Sequence, residues 1–243
     1  MPDALSPTIP PLEPDEIHVW AVSPLATDAE AEQLVAALSS HEQHRAARMR
    51  QPDLRRAFVV GRARVRQILS AYIGHPPHEL DVVARVDDKP VLAGAPPWFD
   101  FSFSRCDRLH ACAVGHGRRL GVDVETIGDG HDASGIAATF FSSEDAAWIS
   151  AQAVASRAAA FASIWTKKEA VVKAIGSGLK MPLRAVRVPY EDAGPVAWAD
   201  PASPPGRPWF VRAFTPAPGV AGAVAAEGRW RLTLLQWPPA PLP

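Results

Sequence analysis

Two long stretches closed by the same dipeptide constrain this chain most. The first covers about 53–73, with Phe58, Val65, Ile68, Leu69 and Tyr72 at helical spacings, and ends in Ile73-Gly74. The second runs from about 153 to 175 and ends in Ile175-Gly176, with Ser177-Gly178 behind it. Glycine just past a helix takes the left-handed conformation that closes it. In each case a proline-containing turn and a run of strands follow. This shared syntax predicts an α+β chain of two similar subdomains related by a pseudo-two-fold, at 17–120 and 121–243. Residues 1–16, rich in proline and acids, read as a loose tail.

Around those helices the pattern predicts a strand at 17–22, helices at 29–38 and 41–50, and strands at 80–86, 98–104, 109–115 and 119–125. Residues 128–135 read as a glycine-rich connection, and Ser142 as the cap of a further helix. Strands at 184–189, 208–214, 219–226 and 230–237 complete the set, with 192–208 as a loop. The run 115–121, GHGRRLG, reads as a hairpin turn, because it opens no helix and misses the dinucleotide-binding glycine spacing by one place.

Composition excludes several classes. The 243 residues are 47% hydrophobic and 21% charged, so the chain is not disordered throughout. No apolar run reaches the ~18 residues of a membrane helix. The first residues lack the basic and apolar regions of a secretory signal. A net charge of -1 argues against a nucleic-acid coat. Cys106 and Cys112 form no C-x-x-C, which fits small buried hydrophobes in a reducing cytoplasm. The charge is nonetheless uneven. Arg45, Arg48, Arg50, Arg55, Arg56, Arg62, Arg64 and Arg66 crowd residues 41–70, opposed only by Glu42 and Asp53. Such a surface meets an anionic ligand or partner, or is an exposed helix face rich in a good helix former.

Two short constellations carry chemistry. In the strand Gly121-Val122-Asp123-Val124-Glu125, the valines share one face and the acids the other. Paired carboxylates repel unless neutralised, and a hard cation such as Mg²⁺ does so while taking other ligands from phosphates. The alternative is a polar strand face in water. In the helix 165–175, Trp165, Glu169 and Lys173 align, with Lys168 beside them. One acid with two lysines can hold a metal together with its phosphates; the alternative is an ordinary exposed Glu169–Lys173 pair. No nucleotide-binding P-loop, zinc-protease or serine-hydrolase motif is present, and the eight histidines show no ligand spacing.

The ordered set resembles a known family. Gly121-Val122-Asp123-Val124-Glu125 precedes Trp165-x-x-Lys168-Glu169-Ala170-x-x-Lys173-Ala174 by about forty residues, and Phe140-Phe141-Ser142 followed by Glu144 falls between them. Lys89-Pro90-Val91-Leu92, Phe99-Asp100-Phe101-Ser102-Phe103-Ser104 and Gly178-Leu179-x-x-Pro182-Leu183 agree as well. Together, over roughly 38–190, they resemble the 4'-phosphopantetheinyl transferases, in particular the larger, monomeric Sfp type. The resemblance implies two similar α+β halves with coenzyme A between them. It further implies transfer of phosphopantetheine from coenzyme A to a serine of an apo acyl or peptidyl carrier protein, with release of 3',5'-ADP.

On that resemblance Asp123, Glu125 and Glu169 hold Mg²⁺, and Glu169 is the best candidate to take the serine proton. Lys173 and Lys168 balance phosphate charge. Lys89 and Arg45 fall on positions that contact the nucleotide phosphates, Ser102 and Phe103 on the coenzyme-contacting strand, and Arg56 and Arg62 are further candidates. Carrier proteins are generally acidic around the target serine, so the arginine-rich 41–70 region or the surface beside Glu144 is the expected docking face. Two departures stand out. Asp100 replaces the family's asparagine. Phe103 replaces a histidine that contacts the 3'-phosphate of coenzyme A, which predicts weaker discrimination against the 3'-dephospho form; Arg105 is the nearest residue to compensate. The competing readings are a catalytically silent coenzyme A-binding module and another Mg²⁺-dependent enzyme acting on phosphate esters. The carrier pathway, whether fatty acid, polyketide or nonribosomal peptide, is not written in the sequence.

Overall fold

The computed structural model describes residues 9–84, 89–128, 132–178, 181–199 and 207–238. In chain order its elements are β1 (Glu16–Val22), α1 (Asp28–Leu34), α2 (Ser40–Ala47), α3 (Pro52–Ile73), β2 (Val82–Ala84), β3 (Pro90–Leu92), β4 (Phe99–Arg105), β5 (His110–His116) and β6 (Leu120–Thr126). They continue with α4 (Ala133–Phe140), α5 (Ser143–Ala151), α6 (Arg157–Ile175), β7 (Val186–Arg187), β8 (Ala193–Pro195), β9 (Ala197–Trp198), β10 (Trp209–Ala217), β11 (Val220–Glu227) and β12 (Arg231–Trp237).

Local chemistry sets most of these boundaries. Thr27 with Glu30, Ser39 with Glu42 and Ser142 with Asp145 form capping boxes that start α1, α2 and α5. Gly74 and Gly176 close α3 and α6 in the left-handed conformation, at φ 77° and 79°. Helix α4 lies partly in the stretch expected to be a glycine-rich connection. The Asp132 side chain accepts from the Gly135 backbone at 2.9 Å, and a Cβ at Gly135 would lie 2.2 Å from Asp132 Oδ2. The glycine that suggested a loop is what lets the cap fold over the first turn.

The long helices flank two stacked sheets. One sheet has the order β12-β1-β5-β4 and the other β6-β11-β10-β8. Alternation along each strand divides the core. Trp20, Val22, Phe101, Cys112 and Val114 meet Val65, Ile68 and Leu69 of α3. Ile17, Val19, Ala21, Ala111 and Ala113 face Leu120, Val122, Val124, Val220 and Val224 between the sheets. Ala223, Ala225 and Val211 meet Ile164, Val171 and Val172 of α6. The layers therefore run α3, sheet, sheet, α6.

Side chains of β4 stitch the two sheets along a seam. Asp100 Oδ2 accepts from the Leu120 backbone at 3.2 Å, and Ser102 Oγ from the Val122 backbone at 3.1 Å. Ser104 Oγ donates to Asp123 Oδ1 at 2.8 Å. These three polar residues alternate with Phe99, Phe101 and Phe103, which pack toward α3.

Further expectations change, and the stretch expected to be a loop from 192 holds the short strands β8 and β9. Strand β12, expected within the second half, pairs in parallel with β1 from Glu16↔Arg231 to Val22↔Trp237, so sheet membership does not divide at residue 120. The 115–121 turn joins strands of different sheets, because β6 pairs with β11 and not with β5; Gly117 supplies its left-handed residue at φ 61°. The described part of the 1–16 tail is held in place. Ile9 and Leu12 pack on the α3 cluster, and Asp15 pairs with Arg231 at 2.9 Å. Residues 1–8 lie outside the described residues.

Candidate active site

The seam ends at a buried carboxylate. Asp123 points from β6 toward α6, opposite to Val122 and Val124, and is 3% exposed. Its Oδ1 accepts from Ser104 Oγ at 2.8 Å and from Lys173 Nζ at 2.6 Å. Among the described residues its Oδ2 is buried without a hydrogen-bond partner. Burial pushes the carboxyl above the usual range, against the pull of Lys173 and Ser104.

Two more acids share that field. Burial pushes Glu125 up to about 7, and the charges of Asp123 and Glu169 add to the push, against Lys173 and a hydrogen bond from Trp165. Glu169 is raised by burial and by Asp123, against Lys173. Contact between β6 and α6 creates this grouping. A Cβ at Gly121 would lie 2.2 Å from Ala170 O and 2.4 Å from Ala174 N, so only glycine lets the helix backbone settle onto the strand. That settling brings Glu169 and Lys173, one turn apart on α6, over Asp123.

Three carboxylates thus face one ammonium. Among the described residues no three acid, histidine or cysteine side chains are drawn tightly enough together to hold a metal ion as they stand. The donor set nonetheless suits a hard cation: oxygen ligands, excess negative charge and an unpartnered buried carboxylate oxygen.

Cavities flank the cluster. One of about 490 Å³ is walled by Glu125, Thr126, Cys106, Ile136, Phe161 and Trp165 and is chiefly apolar. The other, about 460 Å³, is lined by Arg45, Arg62, Arg105, His110, Phe58 and Phe103, and Ser104 joins it to Asp123. Arg62 lies 5.2 Å above the Phe103 ring and Arg45 lies 5.0 Å above Phe58. Burial lowers the Arg62 pKa; Glu42 opposes this, and Arg45, Arg105 and Arg66 reinforce it. Crowded, partly desolvated guanidiniums over aromatic faces suit a phosphorylated ligand with a flat ring.

The structure divides the residues singled out in the sequence. It brings together Asp123, Glu125, Glu169 and Lys173, and it places Arg45, Arg62, Arg105 and Phe103 in the cationic cavity. Lys168 belongs to neither. Its side chain is fully buried, its Nζ donates to the carbonyls of Leu183 and Val186, and it pairs with Asp145 at 2.9 Å. Lying about 100° round the helix from Glu169, it faces away from the acids. Ser102 is committed to the seam, and Lys89 is held there by Asp100 at 2.8 Å and by Leu120 O at 3.1 Å. Arg56 turns outward to Asp28 and Asp53. Cys112 is buried, its thiol pushed up to about 12, whereas Cys106 reaches the apolar cavity wall. His110 and Phe58 were not foreseen, because nothing local marks a strand histidine that a distant helix will cover. The role of Asp145 was legible in part: it stands three residues after the Ser142 cap, and Glu144 beside it pairs with exposed Arg187 instead.

An acid cluster between a cationic and an apolar cavity, on a two-sheet α+β fold, suits an enzyme that handles a phosphorylated ligand. The sequence pattern of the 4'-phosphopantetheinyl transferase superfamily matches residues 119–225. The chain is 32% identical to the 4'-phosphopantetheinyl transferase HetI of Nostoc sp. over 68% of its own length and 70% of that protein. It is 25% identical to a 4'-phosphopantetheinyl transferase of Bacillus subtilis over 81% of its length and 84% of the relative. It is also 33% identical over 35% of each chain to the 4'-phosphopantetheinyl transferase gsp of Aneurinibacillus migulanus. The chain belongs to this superfamily and is a 4'-phosphopantetheinyl transferase.

Proposed function

We propose that this enzyme moves the 4'-phosphopantetheine arm of coenzyme A onto a serine hydroxyl of an apo carrier protein. The serine oxygen bonds to the phosphorus that bears pantetheine, the pyrophosphate P–O bond breaks, and 3',5'-ADP leaves. The observation that carries the reading is the orphaned Asp123 Oδ2, buried beside Lys173 and next to the arginine-lined cavity.

The residues have distinct work. Asp123, Glu125 and Glu169 would hold Mg²⁺, which when bound supplies charge neutralisation on the pyrophosphate. Arg45, Arg62 and Arg105 bind the phosphates at the nucleotide end of coenzyme A, with the Phe58 and Phe103 rings holding Arg45 and Arg62 in place. Lys173 balances charge on the phosphate oxygens. Glu169 takes the serine proton, directly or through a water. Glu42 is held chiefly by Arg66 at 2.5 Å, and its other carboxylate oxygen stands 4.0 Å from Arg62.

The test is to incubate the protein with coenzyme A, Mg²⁺ and apo carrier proteins and to weigh the carriers. A phosphopantetheine mass gain that EDTA abolishes supports the reading. Glu169→Gln should slow transfer by at least about 100-fold while coenzyme A still binds. Transfer at full rate in that variant would remove Glu169 from the chemistry. Coenzyme A binding with no gain on any carrier would point to a silent binding module.

A further inference from the structure

The cationic cavity holds a group that the reaction does not require. His110 begins β5 directly opposite Arg105 of β4, and is 7% exposed. It lines the cavity with Arg45, Arg62, Arg105, Phe58 and Phe103. Neither ring nitrogen is among the buried unpartnered atoms of the described residues, so the imidazole is open to the cavity that it lines.

The helix over it is shaped for the ring. Gly61 lies in the middle of α3, where glycine costs about 1 kcal/mol relative to alanine. A Cβ there would lie 2.9 Å from His110 Cε1 and 3.1 Å from Nδ1. The missing side chain leaves the space that the imidazole fills. The charged groups facing it are Arg62 from α3, Arg45 from α2 and Arg105 from β4, while Glu42 pairs with Arg66 at 2.5 Å and stands 4.0 Å from Arg62.

We propose that His110 is a proton-gated fourth cation of this cavity, so that binding of a phosphorylated ligand is coupled to proton uptake and tightens as pH falls. With the cavity empty, burial and Arg105 hold His110 neutral at physiological pH. A bound phosphate reverses the local charge and favours imidazolium. The complex then takes a proton at a pH where the free protein does not. Affinity climbs as pH falls through the pKa of the complex and levels off below that of the free protein.

The proposal rests on the reading that this cavity takes the phosphates of coenzyme A, and the experiment separates the two. Coenzyme A affinity is measured by calorimetry from pH 8.0 to 5.5, in two buffers of different ionisation enthalpy, for the wild type, His110→Gln, His110→Asn and Arg62→Ala. Ligand phosphates titrate near pH 6 in every variant, so the comparison between proteins is what counts. The wild type should gain roughly three- to tenfold in affinity over either His110 variant between pH 7.5 and 6.0, with net proton uptake that both variants lose. Equal pH profiles and equal uptake in a folded His110 variant would overturn the inference and leave the cavity assignment standing. Wild-type affinity retained in Arg62→Ala would overturn the cavity assignment, and the inference with it.

Discussion

At the residue scale, a fully buried lysine stands beside the acid that does the work. Lys168 satisfies Asp145 and two carbonyls, and nothing polar is left over. Lys168→Met leaves a buried carboxylate without its counter-charge and should cost about 3–5 kcal/mol, read as a fall in the urea midpoint. Asp145→Asn in the same chain should recover much of that loss. A single variant as stable as wild type would show that water reaches Asp145. Sequence spacing set Lys168 beside Glu169 and Lys173; five residues at about 100° each put it about 140° round the helix from Lys173, and only the packing of 183–186 shows where it ends. Asp123 and Glu125 were legible because strand alternation is strict, with two valines fixing the face.

At the element scale, the site depends on how closely α6 lies on β6. Gly121→Ala introduces a Cβ against the helix backbone at Ala170 and Ala174, atoms that cannot rotate away. The variant should lose about 1–3 kcal/mol, and its transfer rate should fall further than its coenzyme A affinity, because Glu169 and Lys173 move while the arginine cavity stays. A rate unchanged in a folded variant would show that α6 shifts without harm. The long helices were legible from apolar period and closing glycines. Helix α4 was not, since its cap depends on Asp132 folding over Gly135, a contact that composition hides. The seam was equally hidden: serines alternating with phenylalanines on β4 read as an ordinary strand until β6 lies alongside.

At the scale of the whole molecule, one network ties β12, β1 and α3. Glu16 accepts from Thr233, His18 sits 3.3 Å from Glu16, and His18 Nδ1 lies 2.7 Å from the Tyr72 hydroxyl. Burial lowers the His18 pKa, against Glu16, so the unfolded chain takes that proton first. Stability is then lost as pH falls through about 6.5, the unfolded value. Between pH 7.5 and 5.5 the urea midpoint of the wild type should drop relative to that of His18→Gln; parallel midpoints would place His18 outside the balance. The repeated syntax marked the two long helices but not the crossing of β12, since no local signal says which sheet a strand will join. That crossing has a consequence in time. Glu16 and Arg231 are partners in one ladder, yet a ribosome delivers the first more than two hundred residues before the second. Until then β1 carries an unpaired edge, open to neighbouring nascent chains. The sheet that carries β4 is therefore finished only after translation has passed β12, and a chaperone able to shield that edge should raise the yield of active enzyme.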